Sequence, residues 1–255
     1  MTNNIVLELE NVRFAYSRTP VLENVCLCVP ERDFLALLGP NGGGKTTLLK
    51  ICIGLLKPEA GSVKLFGKDP QSVRHLVGYV PQETNPNAFF PIRVIDVVLM
   101  GRINGRRGIL KRYNDVDHEV VKETLKCMGL WELRNKRISD LSGGQRQRVM
   151  IARALAAQPK IFFMDEPTAS VDRVFQTELY ELLKDLNREK TVIVVSHDLS
   201  VLSSYVKSVA CVNRKVYYHS AAELTQEMIE EAYHCPVELV THGRIPHRVL
   251  QEHER

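Results

Sequence analysis

No apolar run in this chain approaches the about 20 residues needed to cross a bilayer. The longest, such as Phe34 to Leu38 and Val192 to Val195, have the length of a buried strand. The opening MTNNIVLELE has no basic segment followed by an apolar stretch, so no secretory signal is legible there. The expected address is the cytosol, unless a partner tethers the chain. Charge of one sign is scarce as well: a formal net charge of +4 on 255 residues is too small to argue for nucleic acid. The six cysteines (26, 28, 52, 127, 211 and 235) form no C-x-x-C pair, and their neighbours are mostly apolar. Buried, reduced thiols are expected, rather than a disulfide framework or a zinc site. Internal repeats and low-complexity segments are absent too.

What is present is ordinary globular material, 44% hydrophobic and 25% charged, enough for one large domain or a domain with a subdomain. Ile5 to Glu10 and Ser62 to Phe66 alternate apolar and polar, as half-exposed strands do. By contrast FLALL (34–38), KIFFM (160–164) and TVIVV (191–195) are continuous apolar runs. Such runs fit parallel strands covered by helices on both faces. Segments of helical period follow them, over Thr46 to Leu56, Arg173 to Arg188 and Asp198 to Val206. Alternating strands and helices predict an α/β domain with a parallel sheet. From about Val94 to Gln158 the chain reads mainly helical, with Val120, Val121, Leu125 and Met128 at helical spacing. A helical subdomain inserted in the sheet domain is expected there. Past Tyr217 a short tail carries one amphipathic helix, Ala222 to Tyr233.

The sharpest local signal is Gly39-Pro-Asn41-Gly42-Gly43-Gly44-Lys45-Thr46-Thr47, a full G-x-x-x-x-G-K-[ST] match between a buried strand and a helix. Its glycines let successive backbone N–H groups face an anion, and the helix start adds a favourable dipole. Lys45 would neutralise β- and γ-phosphates, and the Thr46 hydroxyl would ligate Mg2+. The run Ile161 to Met164 ends in Asp165-Glu166. A carboxylate at the end of a buried strand can reach a metal, and its neighbour can polarise a water. Asp165 is the expected Mg2+ ligand and Glu166 the expected general base. Leu141-Ser142-Gly143-Gly144-Gln145 then opens another helix, ending 20 residues before Asp165. Ser-Gly-Gly at a helix start is a second phosphate-binding terminus. One nucleotide does not need two cradles from one chain, unless the second serves a nucleotide held by another copy.

In the order Tyr16, P-loop, Gln82, LSGGQ, IFFMDE, Asp172 and His197, the chain resembles the ABC ATPase family over roughly residues 5 to 215. The resemblance implies a P-loop NTPase (RecA-like) fold with an N-terminal antiparallel β part. The ATPase domain would span 1–215, its helical subdomain about 86–158, and the tail 216–255. It also implies roles. Tyr16 would stack on adenine, and Gln82 would contact Mg2+ and the attacking water and signal to a membrane partner. Ser142, Gly143, Gly144 and Gln145 would bind the γ-phosphate across a homodimer. Asp172 would sit at the dimer seam, and His197 would hold the γ-phosphate and orient Glu166. Gly43 departs from the Ala or Ser of many relatives, without expected harm to the cradle.

The implied working unit is a homodimer on the cytoplasmic face of the membrane, bound to separate permease subunits and indirectly to an extracytoplasmic metal-binding protein. The segment FFPIRVIDVVLMGR (89–102) is similar to that of metal-ion and iron-chelate importers. The ending 235–250 is similar to that of zinc and manganese importer ATPases. Zinc or manganese is the implied cargo, with an iron chelate or a soluble role in cluster assembly as alternatives. His234, His242 and His247 raise the idea of a metal-sensing tail, but no ligand spacing supports it, and histidines used in packing are the stronger reading. The basic stretch Arg102 to Arg112 is expected to be a solvated loop rather than a surface for anionic lipid.

Overall fold

The computed structural model describes residues 4–82, 91–103, 113–168, 171–196 and 204–219, and the backbone of 238–241 and 246–249. The chain divides into two compact units, Met1–Arg74 with Tyr180–Arg255, and His75–Leu179.

In the first unit, β1 (Ile5–Tyr16) pairs antiparallel with β2 (Thr19–Pro30) on one side and β4 (Ala60–Leu65) on the other. Leu7, Leu9, Val12 and Phe14 of β1 face inward with Leu22, Val25, Leu27 and Val29 of β2. The register of the β1–β2 pair shifts several times, including on either side of Val12. Asn11 and Asn24 have positive φ, which Asn tolerates better than most residues and which suits such bulges. The inward set of β2 puts Cys26 and Cys28 on the outer face, so the expectation of buried thiols fails for both. Cys127, at the exposed end of a helix, breaks it too, whereas Cys52 and Cys211 are buried. Burial pushes the Cys52 thiol up to about 12. Cys235 lies outside the described residues.

The same unit holds β3 (Phe34–Leu38) between β7 (Thr191–Val195) and β8 (Ser208–Asn213), all parallel, with β9 (Lys215–His219) antiparallel on β8. All five residues of β3 and of β7 are buried, as their unbroken apolar runs require. The start of β3 is pinned by polar contacts: Ser208 and Tyr218 hydroxyls donate to the buried Asp33 carboxylate, and Asn187 Nδ2 donates to Asp33 O at 2.8 Å. The far end of β3 is thereby left to run into the glycine loop. β10 (Glu238–Thr241) and β11 (Pro246–Val249) form a small antiparallel hairpin, with Val240 opposite His247. The expected tail helix, His234 and His242 fall outside the described residues.

In the second unit, β5 (Val77–Val80) pairs parallel with β6 (Ile161–Asp165), beside α2 (Val94–Leu99), α3 (Asp115–Cys127) and α4 (Gly143–Ala156). Val121, Leu125 and Met128 are buried, as the helical spacing predicts. Gly101 is where the turn after α2 meets α4: a Cβ there would lie 2.2 Å from Arg153 O. Arg102, expected in solvent, is instead mostly buried. Its Nε donates to Asp117 Oδ1 at 3.0 Å, and Nη1 donates to Ala156 O at 2.7 Å and Gln158 Oε1 at 3.0 Å. The rest of that basic stretch, 104–112, lies outside the described residues. Asp117 also closes a capping box with Asn114 at the start of α3. One pair therefore ties together the ends of three helices. Asp117→Ala strips a buried cation of its carboxylate, and a loss of about 3 kcal/mol is expected. Urea unfolding of the purified chain checks this; a midpoint equal to wild type would refute it. Helix α5 (Arg173–Leu186) crosses the boundary between the units. Among the described residues no helix is long and apolar enough to cross a membrane.

Candidate active site

The first unit carries the anion cradle. β3 delivers Gly39, and α1 (Lys45–Cys52) starts from Gly44 in the left-handed region, φ 98°. Only glycine adopts that conformation without strain. The loop is held from behind by the β8–β9 turn. Arg214 N–H donates to Gly43 O at 3.1 Å, and a Cβ on Gly39 would lie 2.0 Å from Val212 O. The same carbonyl stands 2.8 Å from where a Cβ on Gly43 would lie. Glycine at this departure from the family pattern thus matches a tight backbone approach. Asn41 and Gly42 are exposed at the loop's crest. The buried Lys45 folds back, donating from Nζ to Gly39 O and Pro40 O at 2.9 Å each. These carbonyls hold the ammonium over the loop. Thr47 is buried and Thr46 half-buried. Tyr16 ends β1 and is 49% exposed, with its ring perpendicular to that of Phe14 at a centroid distance of 4.9 Å. A cradle that side chains would fill, one ammonium and a hydroxyl at the helix start fit a nucleotide polyphosphate with its divalent cation.

The second unit carries the acids. β6 ends at the buried Asp165, and Glu166 follows with φ 48°. A left-handed non-glycine residue costs about 1–3 kcal/mol, a strain that tends to be kept where it aims a functional side chain. Gln82 lies just past β5, the strand parallel to β6, so two neighbouring strand ends bring it to Glu166. Gln82 Nε2 donates to Glu166 Oε2 at 2.9 Å. Below them, the Tyr79 phenol is pushed up to about 12 by burial and then by the Asp165 charge.

The same unit carries the second helix start. Ser142 caps α4: its hydroxyl accepts from Gln145 N–H at 3.2 Å, and Gln145 Oε1 accepts from Ser142 N–H at 3.1 Å. The S-x-x-Q spacing is a capping box, so Gln145 orients the terminus with its side chain. Ser142 keeps its hydroxyl proton as a donor. Ser142, Gly144, Gln145 and Asp172 share the lining of a cavity of about 280 Å³. Asp172 caps α5 by accepting from Phe175 N–H at 2.9 Å. That bond first, and the Arg148 charge less strongly, hold its carboxyl below the ordinary range. Arg148 lines the same cavity and was not singled out from the sequence, although its place four residues after Gly144 puts it on the same helix face. His197 lies outside the described residues.

A profile of the ABC transporter family matches residues 22–169. The chain is 44% identical over 200 residues to the manganese transport system ATP-binding protein MntB of Bacillus subtilis, covering 78% of this chain and 80% of that protein. It is 37% identical over 233 residues to the zinc uptake system ATP-binding protein ZurA of Listeria innocua, covering 89% and 90%. Among solved structures it superposes on the dimeric form of a bacterial ABC transporter cassette with TM-score 0.75 and 30% identity, covering 86% of this chain and 100% of the other. The α/β fold, the glycine cradle and the strand-end acids agree with those likenesses, and the chain belongs to the ABC transporter ATP-binding family, an ATPase by its chemistry.

Proposed function

We propose that two copies of this chain bind Mg-ATP between them at the cytoplasmic face of the membrane and hydrolyse it to drive uptake of zinc or manganese through separate permease subunits. An extracytoplasmic metal-binding protein would deliver the ion. The observation that carries the coupled reading is the Gln82–Glu166 hydrogen bond. It puts the expected general base in contact with Gln82, the residue proposed to signal to a membrane partner, so a displacement of Gln82 would reach the base directly.

On this reading the loop from Gly39 to Thr47 cradles the phosphates, with Asn41, Gly42 and Gly44 shaping it, and Lys45 neutralises their charge. Tyr16 stacks on the base. Thr46, Asp165 and Gln82 hold the Mg2+, which supplies charge neutralisation on the phosphate oxygens. Glu166 takes a proton from the attacking water, and His197 holds the γ-phosphate and orients Glu166. Ser142, Gly143, Gly144 and Gln145 complete the partner copy's site, and Asp172 lies at the seam.

Relatives that carry manganese and zinc in their names support the cargo. The segment Ile92 to Arg102, within the stretch similar to metal importers, forms α2 and the turn that Gly101 and Arg102 lock. Removing the gene from its host is expected to lower cell manganese or zinc several-fold under chelation and to slow growth, with rescue by the added ion. Elemental analysis decides: a fall in iron alone moves the cargo to an iron chelate, and unchanged metal content removes the transport reading.

A further inference from the structure

We propose that Arg148 is a positioning residue for ATP hydrolysis, holding the Asp172 segment in register with the Ser142 helix start. The inference rests on the reading that this helix start completes a second copy's nucleotide site.

Three observations within the second unit converge on this side chain. Its Nη2 stands 3.4 Å from Asp172 Oδ2. Its guanidinium carbon lies 3.8 Å from the centroid of the Phe175 ring. It also lines the cavity that Ser142, Gly144, Gln145 and Asp172 share. Asp172 is therefore gripped from two sides, by Phe175 N–H on Oδ1 and by Arg148 on Oδ2. The ring that packs under the guanidinium belongs to the residue whose N–H caps the same carboxylate. Helix α4 begins just after its cap Ser142, and α5 begins at Arg173, so one planar cation fixes the start of each relative to the other.

Stability alone is a poor account of the arrangement. The Asp172 side chain is 65% exposed, and ion pairs so open to water contribute little to folding. A planar fork stacked on a ring, however, leaves an arginine few ways to turn, and that restricts its partner's orientation. What the grip defines is geometry: the spacing of a carboxylate and a hydroxyl that line one cavity. A nucleotide brought by another copy would meet both groups already placed.

The test uses the full chain, with ATP as the probe. In Arg148→Met the monomer's affinity for a fluorescent ATP analogue should stay within about twofold of wild type, while kcat falls about 10- to 100-fold, the loss expected from misplacing reacting groups. In a Glu166→Gln background, the protein concentration at which ATP drives dimerisation should rise about tenfold. Arg148→Lys keeps the charge but loses the plane and the fork, so it should recover only part of the rate. Combining Arg148→Met with Asp172→Asn should be no worse than the poorer single change, because both break one contact. Wild-type kcat in Arg148→Met, or fully additive losses in the double variant, overturns the proposal. Should Arg148→Met fold poorly, Arg148→Lys carries the test. Lowered kcat with unchanged nucleotide affinity and melting temperature supports it, and unchanged kcat overturns it. Ser142→Arg separates the two levels: if it keeps full turnover, the shared-site reading itself has failed. If Ser142→Arg is inactive while Arg148→Met turns over normally, only the role of Arg148 is lost.

Discussion

Glu166→Gln is expected to bind Mg-ATP, accumulate as an ATP-loaded dimer, and hydrolyse at least about 100-fold more slowly than wild type, as loss of general-base assistance predicts. The substitution exchanges one carboxylate oxygen for an amide nitrogen and alters little else. Gln82 Nε2 can still donate to the remaining side-chain oxygen, so the contact between the two strand ends persists. The backbone at 166 keeps its positive φ, because the turn is set by the run of buried residues before it and not by the side chain. Asp165 also stays in place, so the expected metal ligand is not removed. What disappears is an acceptor for the water's proton. Turnover of the pure variant by phosphate release, with its dimer fraction by size-exclusion chromatography in ATP, checks both halves of the prediction. A rate near wild type would take the base assignment away from Glu166.

The parts of this molecule that were legible in its sequence are those whose chemistry is local. The buried strands announced themselves as unbroken apolar runs, and the loop after β3 as glycines with Lys45 and Thr46 at fixed offsets. The S-x-x-Q spacing at Ser142 and Gln145 was equally local, yet its capping box went unread beside the phosphate-binding role. Cys26 and Cys28 were misread for a related reason. Averaging over apolar neighbours predicts burial, whereas the period of two that puts Val25, Leu27 and Val29 inside sends the thiols out. Other features depended on pairings that no local pattern encodes. Arg102 looked like the first residue of a basic loop, and only the packing of three helix ends brings Asp117, Ala156 and Gln158 around it. Gln82 and Glu166 are 84 residues apart and meet because β5 and β6 are parallel neighbours. Arg148 is close to the signature residues in sequence, but its grip on Asp172 needs the turn into α5. Cradles and acids could thus be found from spacing, while the contacts that orient them come from tertiary structure.

Ser142→Arg is expected to leave nucleotide binding by the isolated subunit nearly intact while abolishing ATP-driven dimerisation and turnover. The reason is the division of the site. On the proposed reading the glycine loop, Lys45 and Tyr16 grip the subunit's own nucleotide with Gln82, Asp165 and Glu166, and none of these residues lines the cavity beside Ser142. If Ser142 serves a second copy's nucleotide, filling its cavity of about 280 Å³ with a long cation cannot disturb the first grip. Loss of the cap at α4 costs about 1 kcal/mol, too little to unfold a domain. Mixing sharpens the test. A Lys45→Ala subunit lacks the ammonium held over Gly39 and Pro40, and alone should be inactive. Paired with Ser142→Arg, it forms a dimer in which one site has an intact loop and an intact helix start, and the other has neither. If the copies assort at random, half the dimers are mixed with one good site of two, so up to roughly a quarter of wild-type turnover returns. A site built within a single chain predicts no recovery at any ratio, because every subunit then carries its own defect. Loss of nucleotide binding by the Ser142→Arg monomer would point the same way, placing Ser142 on its own subunit's nucleotide.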